Sequence, residues 1–231
     1  MFRPLKITFH LDGSGVYYDP FEPPMLDGIL AVAFMSLVRA RRGEVYEHEE
    51  IGRDEPPYDV PLPLARWSVG EVWGWKASAL FPEGETAESL VYWRKRLRQH
   101  RIELTEGSPN TTNGVYRDWN MPLPLLLCRR MVAYCVTDRE GRRDIRRQLE
   151  RIRWIGKKRA HGRGRVIGVT VEQCEVDYSI ARDGTLTRWM PSDTGSRLVR
   201  PRPPYWNVVG RVRCAEIGET ATDAAVHHAE L

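Results

Sequence analysis

Gly156, Lys157, Lys158, Arg159, Ala160, His161, Gly162, Arg163 and Gly164 form one continuous run, and Arg165 follows directly. Glycine tolerates positive φ and lets a backbone approach a ligand closely. Lysine and arginine bring charge to anionic oxygens, arginine as a planar, bidentate fork. Backbone N–H groups of such a loop can add to the cradle. The chemistry that fits is contact with a sugar–phosphate backbone. The spacing is not the G-x-x-x-x-G-K-[ST] of a nucleotide-binding loop, and the run follows a helical pattern and precedes a strand. A solvated glycine–arginine turn is the plain alternative.

Charge placement decides between them. The chain has 231 residues with 35 Lys and Arg against 31 Asp and Glu, a formal net charge of +4. Only five of the cations are lysines, leaving 30 arginines. A GC-rich genome alone can enrich arginine. It does not gather cations in one stretch. From Arg129 to Arg165 there are fourteen Lys and Arg against four acids, a net of +10, so the rest of the chain sums to −6. A segregated basic surface points to nucleic acid.

Other chemistries are poorly served. Cys128, Cys135, Cys174 and Cys214 form no C-x-x-C pair and sit among apolar, strand-like residues, so buried free thiols are expected. No histidines stand at ligand spacing to them, and neither metal nor cofactor is expected. Met1 to Phe9 lacks the apolar core of a signal peptide. The apolar stretch from Ile29 to Val38 is too short to span a bilayer. A cytoplasmic protein with no membrane association is expected.

The length suits one domain with an insertion, large enough to bury a core. Leu5, Ile7, Phe9 and Leu11 alternate with polar residues, the mark of a half-buried strand. Asp27 is placed to cap a helix from about Gly28 to Arg41, so apolar that burial on most sides is expected. Residues 43–66, acidic over 44–55 and then proline-rich, read as an exposed connection or insertion. Trp67 to Phe81 is strand-like. Residues 86–103 fit a helix or a strand, and 105–124 read as a loop. Residues 129–137 read as a strand and Asp144 to Trp154 as an amphipathic helix on Ile145, Leu149 and Ile152, after a turn at Asp138 to Gly141. A strand from Arg165 to Asp177, a hairpin turn at Asp183-Gly184 and a strand from Val208 to Cys214 complete the pattern. The order predicts an α+β, ferredoxin-like (RRM/RAMP) fold with a glycine-rich loop, an inserted segment and additional C-terminal β-strands. The domain spans 1–215, with insertion and thumb-like elements in 43–127, and 216–231 is an acidic tail.

A helix entering a glycine- and cation-rich loop before a strand resembles the glycine-rich loop of the CRISPR-associated RAMP superfamily. Met25-Leu26-Asp27-Gly28-Ile29-Leu30-Ala31, Tyr92-Trp93-Arg94-Lys95-Arg96, Ile155-Gly156-Lys157-Lys158-Arg159 and Arg202-Pro203-Pro204-Tyr205-Trp206 are similar to the small RAMP subunit of type IV CRISPR effector complexes, of the fifth Cas family. The resemblance covers residues 1 to about 215. It implies a subunit that caps the 5′ handle of the CRISPR RNA, contacts the repeated backbone subunit and sits beside the large subunit near target DNA. Carried over by position, Gly156 to Gly164 touches RNA backbone. Arg165, the basic segment 94–101 with Arg94 and Arg96, and Arg197, Arg200 and Arg202 line the same path. Trp154, Tyr205 and Trp206 are candidate stacking platforms for bases, with burial in the core as the plainer reading.

The sister reading is a metal-independent endoribonuclease that processes precursor CRISPR RNA. That reaction needs a base for the 2′-OH and an acid for the departing 5′-oxygen. His161 is the histidine placed for it. His10 points out of a strand, His48 lies in the acidic insertion, His100 follows a basic run, and His227 and His228 lie in the tail. Binding without catalysis is the favoured expectation. A stand-alone DNA-binding regulator would need a helix-turn-helix or zinc module, and neither is legible.

Overall fold

A computed structural model of the chain describes residues 2–42, 57–96, 110, 112–113, 117–157 and 161–221. β1 (Arg3–Leu11) buries Leu5, Ile7, Phe9 and Leu11, as its alternation dictates. Positive-φ glycines at 13 and 15 turn the chain into β2 (Val16–Tyr17). α1 (Leu26–Arg42) follows. β3 (Arg66–Val69) and β4 (Val72–Trp75) pair as a hairpin. β5 (Phe81–Lys95) and β6 (Trp119–Thr137) form a long antiparallel ribbon. α2 (Arg139–Leu149) leads to β7 (Val166–Gln173). Short strands close the chain: β8 (Ala181–Arg182), β9 (Thr185–Leu186), β10 (Met190–Pro191), β11 (Arg197–Val199) and β12 (Val212–Ala215).

The main sheet runs β7–β1–β6–β5 with every pairing antiparallel. β2 adds to β6 at Leu125 and Leu126, on the edge that β1 occupies further along. Both helices pack on one face of this sheet, where Leu26, Leu30, Ile145 and Leu149 join the inward side chains of β1 and β6 in one core. The opposite face is partly covered by the C-terminal region, where Tyr178 meets Tyr134 edge-on at 5.3 Å and Arg182 Nη1 donates to the Tyr134 hydroxyl. β10, β12 and β11 form a separate sheet, whose Cys214, together with Trp189 just before β10, packs on Met25 and Ala79. The architecture is α+β.

Several expectations shift. Residues 86–95 are strand, paired throughout with β6. Residues 119–124, read as loop, belong to β6 despite Pro122 and Pro124. Among the described residues their side of the ribbon away from β5 carries no strand before Leu125, and an edge accepts residues without an N–H. α2 begins earlier than its apolar pattern indicates, with Asp138 as cap accepting from Gly141 N at 2.7 Å. Gly141, which looks like a turn residue, lies in the first turn of α2, and the position takes glycine because a Cβ there would collide with Thr137 Oγ1 and Pro63 O. Trp154 lies beyond the helix, bridged to Arg165.

Among its described side chains, α1 buries Leu26, Asp27, Leu30 and Ala31, packs Ile29, Phe34 and Met35 partly buried on the core, and leaves Val32 and Ser36 exposed. Asp27 lies inside the first turn and is buried rather than exposed as a cap. The Asp183-Gly184 hairpin forms as expected, both residues at positive φ. Residues 216–221 pack on it: Leu186 N donates to Glu219 O and Ala221 N to Gly184 O. Residues 43–56 of the acidic insertion, 97–101 of the basic segment, 158–160 of the loop and 222–231 of the tail lie outside the described residues; the described end of the insertion is not exposed as expected, since Val60, Leu62 and Leu64 join the core. The four cysteines are free and three are buried, and burial pushes the Cys214 thiol up to about 11. Among the described residues no helix is long and apolar enough to cross a membrane, and no group of His, Cys, Asp and Glu could hold a metal.

Candidate nucleic-acid interface

The glycine-rich loop is pinned at its base by short-range backbone pairing. Ile155 N donates to Gly164 O at 2.9 Å and Val166 N to Arg153 O at 2.8 Å, so the two ends of the loop form a narrow neck. The neck rests on the turn between β1 and β2, where Gly164 N donates to Gly15 O at 2.7 Å and Lys157 N to Tyr17 O at 3.4 Å. Arg163 Nη1 donates to Ser14 O. Such proximity is why the neck needs glycine. At Gly156 (φ +87°) a Cβ would lie 2.5 Å from Val16 Cγ2, and at Gly164 (φ +71°) it would collide with the Ile155 carbonyl. Gly162 also has positive φ, but no atom of the described residues lies within 4 Å of a Cβ there.

His161, at the loop's far side, is exposed and sits in an aromatic cluster. Its ring lies 5.8 Å from Tyr17 and 5.4 Å from Trp93, both edge-on, and Trp93 in turn meets Trp119 at 3.9 Å. The Tyr17 hydroxyl is 3.5 Å from His161 Nδ1. Trp93 and Trp119 come from the β5–β6 ribbon, so loop and ribbon build one surface. Sequence reasoning missed this pair. The signal that could have found it is the alternation of Val91 and Trp93 against Trp119, Met121, Leu123 and Leu125, which Pro122 and Pro124 interrupt.

The expected cations are in unlike situations. Lys157 Nζ contacts Glu22 Oε2 at 3.0 Å and Asp19 Oδ2 at 3.5 Å. Arg197 Nη2 reaches the same Glu22 at 2.7 Å and its Nη1 donates to Phe21 O, so the two cations converge on one carboxylate. Arg165 is exposed beside the neck. Arg94 and Arg96 are exposed on the ribbon, with Arg94 Nε donating to Asn120 Oδ1 at 3.0 Å. Arg200 is buried, with Nη1 donating to Val209 O and Nη2 3.6 Å from Asp59. Burial, with Arg202 adding to it, lowers its guanidinium from the usual range. Arg202 is forked onto Asp59 at 2.8 and 2.9 Å and lies 4.1 Å above the Trp73 ring.

The expected stacking residues also separate. The Tyr205 hydroxyl donates to the Asp27 carboxylate, 2.7 Å from each oxygen, and faces inward. Trp206 is exposed, beside Leu198 and Arg211. Trp154 is exposed against α1.

The chain matches the family model described as CRISPR type IV associated protein Csf3, over residues 3–109 and 100–216. The chain belongs to the Csf3 family. The match takes in the sheet, both helices, the glycine-rich loop and β8 to β12, so the whole described architecture lies within the Csf3 pattern. The type IV CRISPR association that the sequence resemblance implied is thereby established, and with it a place among the proteins of a type IV CRISPR system. No curated protein matches the chain.

Proposed function

We propose that the chain is a non-catalytic RNA-binding subunit of a type IV CRISPR effector complex, that it caps the 5′ handle of the CRISPR RNA, and that it meets the repeated backbone subunit and the large subunit near target DNA. The observation that carries this reading is the pinned glycine-rich loop beside exposed Trp93 and His161, with half-buried Trp119 backing them: a cationic loop next to flat rings suits single-stranded RNA, backbone on one and bases on the other. The topology supports it. Strand order β7–β1–β6–β5, with helices in the β1-to-β5 and β6-to-β7 connections, fits a ferredoxin-like split βαβ arrangement of the RAMP kind. Arg94, Arg96, Arg165 and Trp206 extend the surface, and the site of action is the cytoplasm.

The second reading, metal-independent cleavage of precursor RNA, draws on the approach of the Tyr17 hydroxyl to His161. Only His161 of that pair is accessible, since Tyr17 is buried. A single accessible group falls short of the acid and base that the reaction needs.

Salt titration of RNA affinity tests the loop. Lys157 already has two carboxylate partners, so Lys157→Ala alone is expected to leave the slope of log K against log salt nearly unchanged. The triple change Lys157→Ala/Lys158→Ala/Arg159→Ala is expected to reduce the slope by about 1.4, two phosphate contacts on a single strand. An unchanged slope in the triple variant removes the loop from the phosphate path.

A further inference from the structure

One side of α1 forms a wall of a groove of about 480 Å³, lined there by exposed Val32 with half-buried Ile29, Ala33 and Leu37, and further along the chain by Ile152 and Trp154. Val32 is 50% exposed and Trp154 42%, so two large apolar side chains stand in solvent where nothing described covers them. Arg151 and Arg153 line the same groove and are exposed. We propose that this groove seats an amphipathic helix from another protein subunit of the effector complex, one that presents apolar side chains at helical spacing and acidic residues along its flank.

The chemistry of the walls selects this occupant. RNA seeks aromatic faces for its bases, and this groove offers one ring among aliphatic side chains. A small ligand needs convergent polar groups within a concave site, and the lining is mainly apolar. A second copy of the chain, related by a two-fold axis, would bring Arg151 and Arg153 against their own counterparts. A helix laid in the groove buries Val32 and Trp154 against its apolar positions. Acidic residues on its flank then meet the two arginines and set its register. Trp154 thus serves a protein contact instead of base stacking. The proposal rests on membership of the Csf3 family and does not depend on the RNA-handle reading.

The test is a photocrosslink in the complex reconstituted from its recombinant subunits and CRISPR RNA, with Val32→benzoylphenylalanine as the reactive position. The expected product joins this chain to another protein subunit, at a helix carrying acidic residues. Arg151→Glu/Arg153→Glu is expected to lower its yield about tenfold. Val32→Glu, at an exposed site that leaves the core intact, is expected to fall out of the complex while the isolated chain keeps its melting temperature and RNA affinity. A crosslink to RNA, a crosslink to a second copy of this chain, no crosslink, or a yield indifferent to charge reversal would each overturn the proposal. Loss of RNA affinity in the parent chain would bear on the proposed function alone.

Discussion

Replacing Arg188 by methionine is expected to destabilise the fold by about 3–5 kcal/mol, because it leaves a buried carboxylate without its cation. Arg188 and Asp27 are both almost fully buried, and Arg188 Nη2 lies 3.6 Å from Asp27 Oδ2. The guanidinium also donates to the carbonyls of Trp75, Ala77 and Pro201, and it lies over the Trp67 ring at 5.2 Å. This one side chain therefore joins the start of α1, the segment after β4 and the C-terminal region. Methionine fills much of the volume but donates no hydrogen bond, so three buried carbonyls lose a partner as well.

The deficit should depend on pH. Burial raises the Asp27 carboxyl above the usual carboxylate range, against the opposing pull of Arg188 and the Tyr205 hydroxyl. A carboxyl raised in the folded state favours folding when protonated. That contribution is lost as pH rises from its unfolded value towards its folded one. Without Arg188 the folded value rises further, and the loss continues to higher pH. Urea unfolding should show a larger deficit at about pH 8 than at about pH 5, with the midpoint displaced and the slope retained. Asp27→Asn added to Arg188→Met should recover part of the loss, since the buried charge is then gone. An Arg188→Met protein as stable as its parent at both pH values would show that the pair does not hold these segments together.

Gly164→Ala is expected to cost about 2–5 kcal/mol, from a left-handed non-glycine residue together with strained or broken pairing to Ile155 and Gly15. The added Cβ would collide with the carbonyl of Ile155, the residue whose N–H donates to Gly164 O across the same neck. The strain falls on the loop, so the predicted readout is a loss of RNA affinity of roughly thirtyfold or more. Gly162→Ala is the control. Its φ of +72° carries the left-handed cost of about 1–2 kcal/mol, but a Cβ there meets none of the described residues, so its effect on affinity should be several-fold smaller. Equal effects at the two positions would mean that the neck does not shape the binding surface.

What was legible in the sequence follows from where each signal is local. β1 declared itself because one of its faces is core, and alternation is then obligatory. The loop declared itself through glycine and charge, and the Asp183-Gly184 hairpin through turn chemistry. β5 was ambiguous because most of it is exposed, so no face imposes a period. Its partner in β6 was hidden by two prolines that an open edge tolerates. The groove beside α1 was invisible because an all-apolar helix reads as buried whether or not anything covers it. Arg188 could not be found at all. Its partners are three carbonyls and a carboxylate supplied by distant parts of the chain, and no local pattern marks an arginine destined for burial. The same holds for Arg200 and Tyr205, candidates by type and position: Arg200 lies inside the fold and half-buried Tyr205 turns its hydroxyl inward to Asp27.

The most direct test of the central claim is binding of CRISPR RNA with and without its 5′ handle, measured by fluorescence anisotropy in chelator and followed by a denaturing gel. The expected result is at least about tenfold tighter binding of the handle-bearing RNA, with every RNA recovered intact. Equal affinity for the two RNAs, or site-specific cleavage that disappears in His161→Ala, would contradict it.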